Sequence, residues 1–316
     1  MDAVARVRSA VRTFLAAHLP DRAVAVACSG GADSLALAAA TVHSGALVHG
    51  LVVDHGLQDG SARVAAETAA VLRGLGCATV TVLPVAVGGP GGPEAAARRA
   101  RYAALRDAAG GCQVLLGHTR DDQAETVLLG LGRGSGPRSI AGMRCHDPPW
   151  GRPLLDVPRA VTVAACAALD LRPWADPHNA DPRFRRVRVR TEVLPLLEDV
   201  LAGGVAAALA RTAAQLREDA DALDALAAAL LASAHHDGTL DDGMLDTGTL
   251  ATHPAAVRRR ALRDWLLGAG VPELTDGHLR AADDLVGRWR GQGGVAMPGG
   301  FVVARVHGRL HLDPPR

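Results

Sequence analysis

The chain has 316 residues, which is long enough for two domains, or for one large and one small domain. Hydrophobic residues make up 48% of it and aromatic residues 3%, so the core must be built mainly from Ala, Val and Leu. The formal net charge of +1 excludes a protein that binds nucleic acid over its whole surface, because such proteins are strongly basic, and any nucleic-acid surface must be local.

All 34 basic residues are Arg. A GC-rich coding sequence explains this bias without any function. The alternative is a use in phosphate and RNA contacts, since the planar guanidinium group binds phosphate in a bidentate manner. Composition does not separate the two explanations.

The cysteines and the N-terminus both indicate a cytoplasmic protein. The five cysteines are odd in number and never form a C-x-x-C pair, so they offer neither a structural zinc site nor a redox dithiol. Arg6, Arg8 and Arg12 interrupt the apolar residues at the N-terminus, which excludes the unbroken apolar stretch of a signal peptide. No apolar run reaches the length that spans a membrane, and we expect no contact with one.

Strand and helix patterns alternate through the first part of the chain. Apolar spacing predicts an N-terminal helix at about residues 4–15. Short apolar runs predict strands at residues 23–28, 47–53, 79–85 and 114–117. Helices are predicted at residues 35–41, 61–75 and 121–131, with one more that contains Arg98 and Tyr102. This alternation predicts an α/β fold with a doubly wound parallel sheet and helices on both faces.

After Pro195 the pattern changes to Ala- and Leu-rich helices, predicted at residues 205–234, 255–267 and 276–289. The chain ends with Met297-Pro298-Gly299-Gly300 between short Val-rich segments, which predicts a β-hairpin or a small sheet. We therefore predict two domains, residues 1–200 and residues 201–316. The second is mainly helical and ends in a small β-hairpin.

A glycine turn joins the first predicted strand to the next helix, in the segment Ser29-Gly30-Gly31-Ala32-Asp33-Ser34. Consecutive glycines let the backbone approach a phosphate, and unpaired amides at the start of the helix point toward the anion. A bare carboxylate at Asp33 would repel a phosphate, but a Mg²⁺ ion between Asp33 and the phosphate oxygens would remove the conflict. The structural alternative is a plain turn in which Asp33 caps the helix.

A second polar motif follows the fourth predicted strand. It contains His118 and Asp122, four residues apart, and Glu125 continues its polar face. Several acidic groups and a His at the end of a buried strand indicate a catalytic site. The alternative is an acidic first helical turn that the helix dipole stabilises. Asp54-His55, at the end of another predicted strand, is by itself more typical of a turn.

An Arg-rich segment that includes Phe184 follows further along the chain. Its arginines are Arg183, Arg185, Arg186, Arg188 and Arg190. Dense Arg beside an aromatic side chain is typical of a patch that binds an RNA backbone and stacks on a base. Arg133, in the glycine-rich segment 132–136, suits a loop that closes over phosphate or RNA. The structural alternatives are a solvated Arg-rich helix surface and a plain linker.

The S-G-G-x-D-S segment resembles the signature of the ATP-pyrophosphatase, or PP-loop, superfamily. This resemblance implies an adenine-nucleotide α-hydrolase-like fold. It also implies cleavage of ATP between the α and β phosphates, with adenylation of a substrate oxygen. The residues that would bind ATP are Ser29, Gly30, Gly31, Ala32, Asp33 and Ser34. The motif alone does not choose a substrate.

Further motifs, in the same order along the chain, resemble those of the tRNA(Ile)-lysidine synthase family. They are Asp54-His55-Gly56-Leu57, the A-R-x-x-R-Y segment at 97–102, Asp121-Asp122-Gln123-Ala124-Glu125-Thr126, Arg133-Gly134-Ser135-Gly136, Arg152-Pro153-Leu154-Leu155 and the segment 174–181. The resemblance covers about residues 24–195 and, more loosely, residues 298–312. The chain departs from the family pattern at Thr119, His178 and Val187.

The resemblance implies a reaction and a set of roles. A ligase of this family would use ATP to adenylate the C2 oxygen of cytidine 34 in the CAU anticodon of a minor tRNA(Ile). It would then attach free L-lysine to give lysidine, release AMP and pyrophosphate, and switch codon reading from AUG to AUA. Asp33 would hold Mg²⁺, and Arg98 would offset charge on the adenylate. Asp122, with His118, would be the base. The implied tRNA contacts are Arg133, Arg183, Arg185, Arg186, Arg188 and Arg190.

Three alternatives to a lysine-attaching ligase stay open on the residues alone. A tRNA thiolase of the same superfamily commonly carries paired cysteines, which this sequence lacks. A metabolic amidating ligase would not need the Arg-rich segment. A non-catalytic ATP-sensing module would not need His118 and Asp122. The sequence leaves a homodimer open.

Overall fold

The computed structural model describes residues 2–20, 23–54, 56, 60–86, 88, 93–134, 136–235 and 243–315. His55 and Leu57 of the predicted motifs lie outside these residues, and so does Ser135. The chain divides into two compact units, Met1–Ala214 and Gln215–Arg316. The domain boundary near residue 200 stays a prediction.

A six-stranded sheet forms the centre of the first unit. Its strands are β1 (Val24–Ala27), β2 (Val48–Asp54), β3 (Thr79–Pro84), β4 (Gln113–Leu116), β5 (His146–Asp147) and β6 (Trp150–Gly151). Their spatial order is β3-β2-β1-β4-β6-β5, and the pairs are parallel except for the edge pair β5 and β6. The chain therefore builds outward from β1 to one edge and then crosses to build the other side, as in other doubly wound folds. The predicted fold class is confirmed.

Helices connect these strands. They are α1 (Ala3–His18), α2 (Ala32–His43), α3 (Ser61–Leu75), α4 (Pro93–Ala108), α5 (Arg120–Leu131), α6 (Pro137–Ile140), α7 (Arg159–Ala168), α8 (Arg185–Arg188) and α9 (Leu194–Val200). The sequence predicted the first five but not α7. Arg159 is the one charged residue in α7, so no polar face marks the helical period there.

Burial of β1 on both faces fixes the centre of the sheet. Its residues Val24, Ala25 and Val26 are fully buried. Val24 and Val26 belong to a hydrophobic cluster with residues of α1, α2 and α7. Ala25 belongs to a second cluster with Leu105 of α4. Because both faces are covered, the loops that leave β1 and its neighbours start from a rigid edge.

The second unit combines helices with a small antiparallel sheet. Its helices are the distal part of α10 (Val205–Ala234), then α11 (Thr247–Ala251), α12 (Ala255–Gly268) and α13 (Asp276–Gly287). Its strands are β7 (Leu245–Asp246), β8 (Val295–Ala296), β9 (Val302–Val306) and β10 (Arg309–Asp313), in the order β7-β10-β9-β8. His307 and Gly308 turn between β9 and β10 with φ values of 49° and 77°. Positive φ at both positions matches the twist of a two-residue hairpin, and the predicted terminal hairpin is confirmed.

The longest helix, α10, has 30 residues. In the part of the chain that the structure describes, no single helix is both long and apolar enough to cross a membrane. The segment Arg185–Val200 and α10 meet the criteria of length and composition only when they are taken together as a bent pair.

Close packing between α5 and α6 yields a stability prediction. A Cβ atom at Gly130 would lie 1.9 Å from the Ser139 carbonyl oxygen, so Gly130→Ala must push α6 away. We expect it to lower the free energy of unfolding by about 1–3 kcal/mol, the usual effect of overpacking. Gly132→Ala is the matched control, because the nearest atom to its Cβ would be 3.8 Å away. Denaturant unfolding of both variants measures the difference, and equal stabilities would contradict the packing.

Candidate active site

The loop between β1 and α2 has the backbone geometry of a phosphate site. Gly30 adopts a φ of +82°, and a Cβ atom there would lie 2.6 Å from the Thr68 hydroxyl oxygen. The Ser29 amide donates to Ser34 Oγ at 3.2 Å, and Ser34 Oγ donates to the Gly31 carbonyl at 2.9 Å. These bonds curl the loop over the start of α2. The first amides of a helix have no partner within it, so they are available to an anion.

Asp33, in the first turn of α2, is held by side chains of α7, one of the helices that the sequence did not predict. Arg159 Nε lies 3.2 Å from Asp33 Oδ2, and the Thr162 hydroxyl donates to Asp33 Oδ1. Burial raises the pKa of Asp33, although the Thr162 hydrogen bond and the Arg159 charge act in the opposite direction. No sequence motif marks Arg159 or Thr162: one more Arg is unremarkable in an Arg-biased chain, and Thr162 lies in an apolar segment.

Asp122 and Thr119 together form the cap at the N-terminus of α5. Its Oδ2 accepts hydrogen bonds from the Thr119 amide and hydroxyl, both at 2.8 Å, and its Oδ1 accepts one from Arg159 Nη2 at 2.7 Å. Burial acts to raise the pKa of Asp122, but the Arg159 charge and the Thr119 hydrogen bonds outweigh it and lower the pKa. Asp122 is therefore ionised at neutral pH, and both of its oxygens already have partners.

Glu125, one turn further along α5, is fully buried and surrounded by arginines. Its Oε1 lies 2.7 Å from Arg190 Nε and 3.3 Å from Arg159 Nη1, and its Oε2 lies 3.4 Å from Arg186 Nε. A buried carboxylate is stable only when it is paired and hydrogen-bonded. The segment that carries Arg186 and Arg190 therefore closes one side of the site.

His118 lies between β4 and α5 and is neutral. Burial lowers its pKa to about 3; the charge of Asp122 opposes this, and the charges of Arg152 and Arg101 add to it. Its Nδ1 is buried and has no hydrogen-bond partner. The imidazole lines the cleft and is kept neutral by burial, so it can act as a proton acceptor there.

The two arginines of the A-R-x-x-R-Y segment take different positions on α4. Arg98 is exposed, donates to the Tyr102 hydroxyl at 3.2 Å and lies 4.6 Å from the centre of the Tyr102 ring. Arg101 lines the cleft instead, and burial lowers its pKa. The role of Arg98 at the adenylate stays a prediction, and Arg101 is the arginine of α4 that the structure brings to the site.

These side chains line one cleft of about 480 Å³, within the usual range for a small-molecule site. Its polar lining includes Ser29, Asp33, Ser34, Arg101, His118, Asp122, Arg159, Arg186 and Arg190. Its apolar lining includes Leu51, Val53, Leu105, Val163 and Trp174. The structure thus brings the phosphate loop and the motif at His118 and Asp122 to the same edge of the sheet, where ligands of such sheets bind. In the described residues, no group of three or more His, Cys, Asp and Glu side chains could hold a metal ion by itself.

The other arginines named from the sequence lie at the surface. Arg183 pairs with Asp181 at 2.6 Å, and Arg188 pairs with Glu192 at 2.8 Å. Arg133 and Arg185 are exposed. The Arg-rich segment therefore sends some side chains outward and turns Arg186 and Arg190 into the cleft. Binding of tRNA by these residues stays a prediction.

The positions that depart from the family pattern have structural partners. Thr119 supplies both hydrogen bonds that fix Asp122 Oδ2. Val187 is buried, with 7% of its surface exposed. The His178 ring packs edge-on against Phe184 at 5.7 Å between centroids.

Comparison with known proteins agrees with this geometry. A family model described as the PP-loop domain matches residues 4–197, and one described as the TilS substrate binding domain matches residues 245–311. The solved U34-tRNA thiolase NcsA from Methanococcus maripaludis, with its [4Fe-4S] cluster, superposes with a TM-score of 0.56 at 17% identity, over 68% of this chain and 80% of that one. At that identity the likeness concerns the fold alone.

Named relatives are far more similar in sequence. The tRNA(Ile)-lysidine synthase of Rhodococcus jostii (strain RHA1) is 62% identical over 98% of this chain and 95% of its own length. That of Nocardia farcinica (strain IFM 10152) is 62% identical over 97% of both chains. That of Mycobacterium tuberculosis (strain ATCC 25618 / H37Rv) is 57% identical over 94% of this chain and 91% of its own.

The parallel sheet and its glycine-rich turn at the start of α2 define a PP-loop protein. Within that class the resemblance seen in the motifs is confirmed over nearly the whole length. The chain belongs to the tRNA(Ile)-lysidine synthase family.

The environment of His118 predicts its titration. Between about pH 3 and pH 6.5 the unfolded chain binds a proton at this residue that the folded chain does not. This group therefore lowers the free energy of unfolding as the pH falls through that window, by up to about 1.4 kcal/mol per pH unit. Imidazole nitrogen shifts, assigned to His118 with the His118→Gln variant, should stay those of a neutral ring from pH 8 down to pH 5.5. A midpoint near 6.5 would contradict the buried, neutral state.

Proposed function

We propose that this chain is an ATP-dependent carbon–nitrogen ligase that attaches free L-lysine to cytidine 34 in the CAU anticodon of a minor tRNA(Ile). The products are lysidine, AMP and pyrophosphate, and the modified anticodon reads AUA in place of AUG. The observation that carries the proposal is the shared cleft. A phosphate loop and a carboxylate–imidazole group lie within it, in a chain 62% identical to a lysidine synthase over 98% of its length.

Activation of the cytidine explains the phosphate loop. The C2 oxygen of cytosine is a poor leaving group, so a direct displacement by an amine is slow. When that oxygen attacks the α-phosphorus of ATP, the bond to the β-phosphate oxygen breaks and pyrophosphate leaves. The loop Ser29 to Ser34 would hold the pyrophosphate, because negative charge is favoured at the N-terminus of α2.

A Mg²⁺ ion fits the residues at the start of α2. Asp33 offers one carboxylate beside the phosphate loop, and Mg²⁺ typically takes one or two protein carboxylates with the remaining ligands from phosphates and water. Such a site does not require three protein ligands. Asp33 would hold the ion, which would offset negative charge on the phosphate oxygens.

Lysine attack then needs a proton acceptor. The ε-amine has a reference pKa of about 10.4, so it must lose a proton before its nitrogen attacks C2 and expels AMP. Asp122 is ionised and His118 is neutral, so both can accept a proton. Their low pKa values make them weak bases in the ligand-free cleft. Bound phosphates would add negative charge nearby, and this raises the pKa of both groups.

Binding of tRNA would use local basic surface rather than net charge. Arg133, Arg183, Arg185 and Arg188 are exposed, and the second unit matches a substrate-binding family model. Guanidinium contacts to phosphates release counterions, so we expect affinity for tRNA to fall steeply with salt. For this reaction we expect the protein to be in the cytoplasm, because substrate tRNA, ATP and free lysine meet there.

A transfer assay tests the proposal. Purified chain is incubated with ATP, Mg²⁺, radiolabelled lysine and a transcript of tRNA(Ile) with a CAU anticodon. Label should enter the RNA, and it should not when ATP is omitted or when cytidine 34 is replaced by uridine. Asp33→Asn should abolish incorporation, because the first turn of α2 loses its carboxylate.

Each competing function gives a different result when the assay also contains a sulfide donor and pyrophosphate release is measured. A thiolase would incorporate sulfur from the sulfide donor but no lysine. A metabolic amidating ligase would release pyrophosphate without any tRNA. An ATP-sensing module would bind ATP and release no pyrophosphate. Any of these outcomes, without lysine in the RNA, would contradict the proposal.

A further inference from the structure

We propose that Arg159 is a positioning residue that joins the two halves of the reaction. It holds the carboxylate beside the phosphate loop, Asp33, in a fixed relation to the carboxylates of α5, Asp122 and Glu125. The inference rests on the proposed function, because it assigns adenylation to the side of Asp33 and lysine transfer to the side of Asp122.

The Arg159 guanidinium divides its three nitrogens among three carboxylates. Nε lies 3.2 Å from Asp33, Nη2 lies 2.7 Å from Asp122, and Nη1 lies 3.3 Å from Glu125. Its side chain is 22% exposed, and the carboxylates range from 23% at Asp33 to fully buried at Glu125. A planar fork can reach three acceptors in different directions, whereas a Lys ammonium is a point charge.

Arg186 and Arg190 contact carboxylates of α5. Arg190 contacts Glu125 at 2.7 Å and Asp122 at 3.5 Å, and Arg186 contacts Glu125 at 3.4 Å. The bonds to Asp33 come from Arg159 and Thr162, both in the first turn of α7. Arg159 thereby connects the Asp33 side to the Asp122 side.

The first turn of α7 is fixed independently of the guanidinium. The Arg159 backbone amide donates to Asp121 Oδ2 at 2.8 Å, and the Arg120 amide donates to the Val157 carbonyl at 3.0 Å. Cys166 Sγ lies 3.3 Å from the Ala32 carbonyl, which ties α7 to the start of α2. A change confined to the Arg159 side chain therefore leaves the helix anchored on both neighbours.

Loss of the guanidinium would leave three carboxylates without their shared cation. Like charges in a partly buried space repel one another and move apart or take up protons. Small displacements of groups around a reacting centre are costly, on the order of 100-fold in rate for about 1 Å. Arg159 reaches the loop that binds ATP through the Asp33 side chain, and among the described residues no hydrogen bond joins it to the loop amides. Because those amides would bind the phosphates, nucleotide affinity should change less than turnover.

Two half-reactions measure the two sides separately. Adenylation is followed as ATP–pyrophosphate exchange with tRNA and without lysine. Lysine transfer is followed in a single turnover, by adding labelled lysine to enzyme preincubated with ATP and tRNA. The variants are Arg159→Ala, Arg159→Lys and Thr162→Val, and Arg63→Ala is the control for loss of an arginine. Arg63 is 73% exposed and pairs with Glu67 on the surface of α3.

We expect Arg159→Ala to slow both half-reactions by about 100-fold, with KM for tRNA and Kd for ATP little changed. Millimolar methylguanidinium should restore part of the rate to this variant alone, since the added cation can occupy the vacated space. Arg159→Lys should stay well below the wild-type rate in both half-reactions despite its charge. Thr162→Val should slow adenylation by about tenfold, the usual loss for a hydrogen bond to a charged group, and leave lysine transfer unchanged.

Wild-type rates in both half-reactions of Arg159→Ala would overturn the inference, and so would equal effects of Thr162→Val on both. If Arg159→Ala fails to fold, as judged by its thermal midpoint, the other two variants decide. The inference is supported if Arg159→Lys is slow in both half-reactions and Thr162→Val slows adenylation but not lysine transfer. Any other pair of results overturns the inference. A wild-type chain that transfers no lysine would instead overturn the proposed function, and the inference with it.

Discussion

Charge balance inside one cleft is the constraint on which the rest of the site depends. Asp33, Asp122 and Glu125 share a partly buried space, and ionised groups in such a space are stable only when opposite charges lie beside them. Arg159, together with Arg186 and Arg190, supplies those charges. These three carboxylates and three arginines balance one another before substrates enter. A phosphate can still bind the unpaired amides at the start of α2, whereas a charge that binds among the paired groups must take over part of their present pairing.

The parallel sheet makes this balance possible by directing separate segments to one edge. The phosphate loop follows β1 and the His118 segment follows β4, and these strands are neighbours. β1 is buried on both faces, so packing holds its carboxyl end in place. Functional groups on a rigid scaffold keep their spacing, which is what two successive steps at one carbonyl group require, the first at its oxygen and the second at its carbon.

Much of the fold and part of the site could be predicted from the sequence. Periodicity located α1 to α5 and β1 to β4. Both Ser29 to Ser34 and the motif at His118 and Asp122 were placed after predicted strands, and the shared edge of a parallel sheet explains why they meet. Arg159 could not be predicted, because its partners lie in α2 and α5 and no local pattern encodes a contact between segments so far apart in the sequence. Arg98 was named rather than Arg101 for the same reason, since a helical period does not show which of two arginines three residues apart faces a cleft. From its composition alone, we expected the whole Arg-rich segment to lie at the surface. The position of Glu125 is what turns Arg186 and Arg190 inward.

Two steps define the reaction: the C2 oxygen of the cytidine is adenylated, and lysine then displaces that oxygen together with AMP. The fate of the oxygen can be followed by labelling it with ¹⁸O in cytidine 34 of the substrate tRNA and recording the mass spectrum of the AMP released after lysine transfer. We expect the label to leave with AMP, because the C2–oxygen bond breaks while the oxygen stays on phosphorus. Unlabelled AMP beside an RNA that retains its ¹⁸O would contradict it.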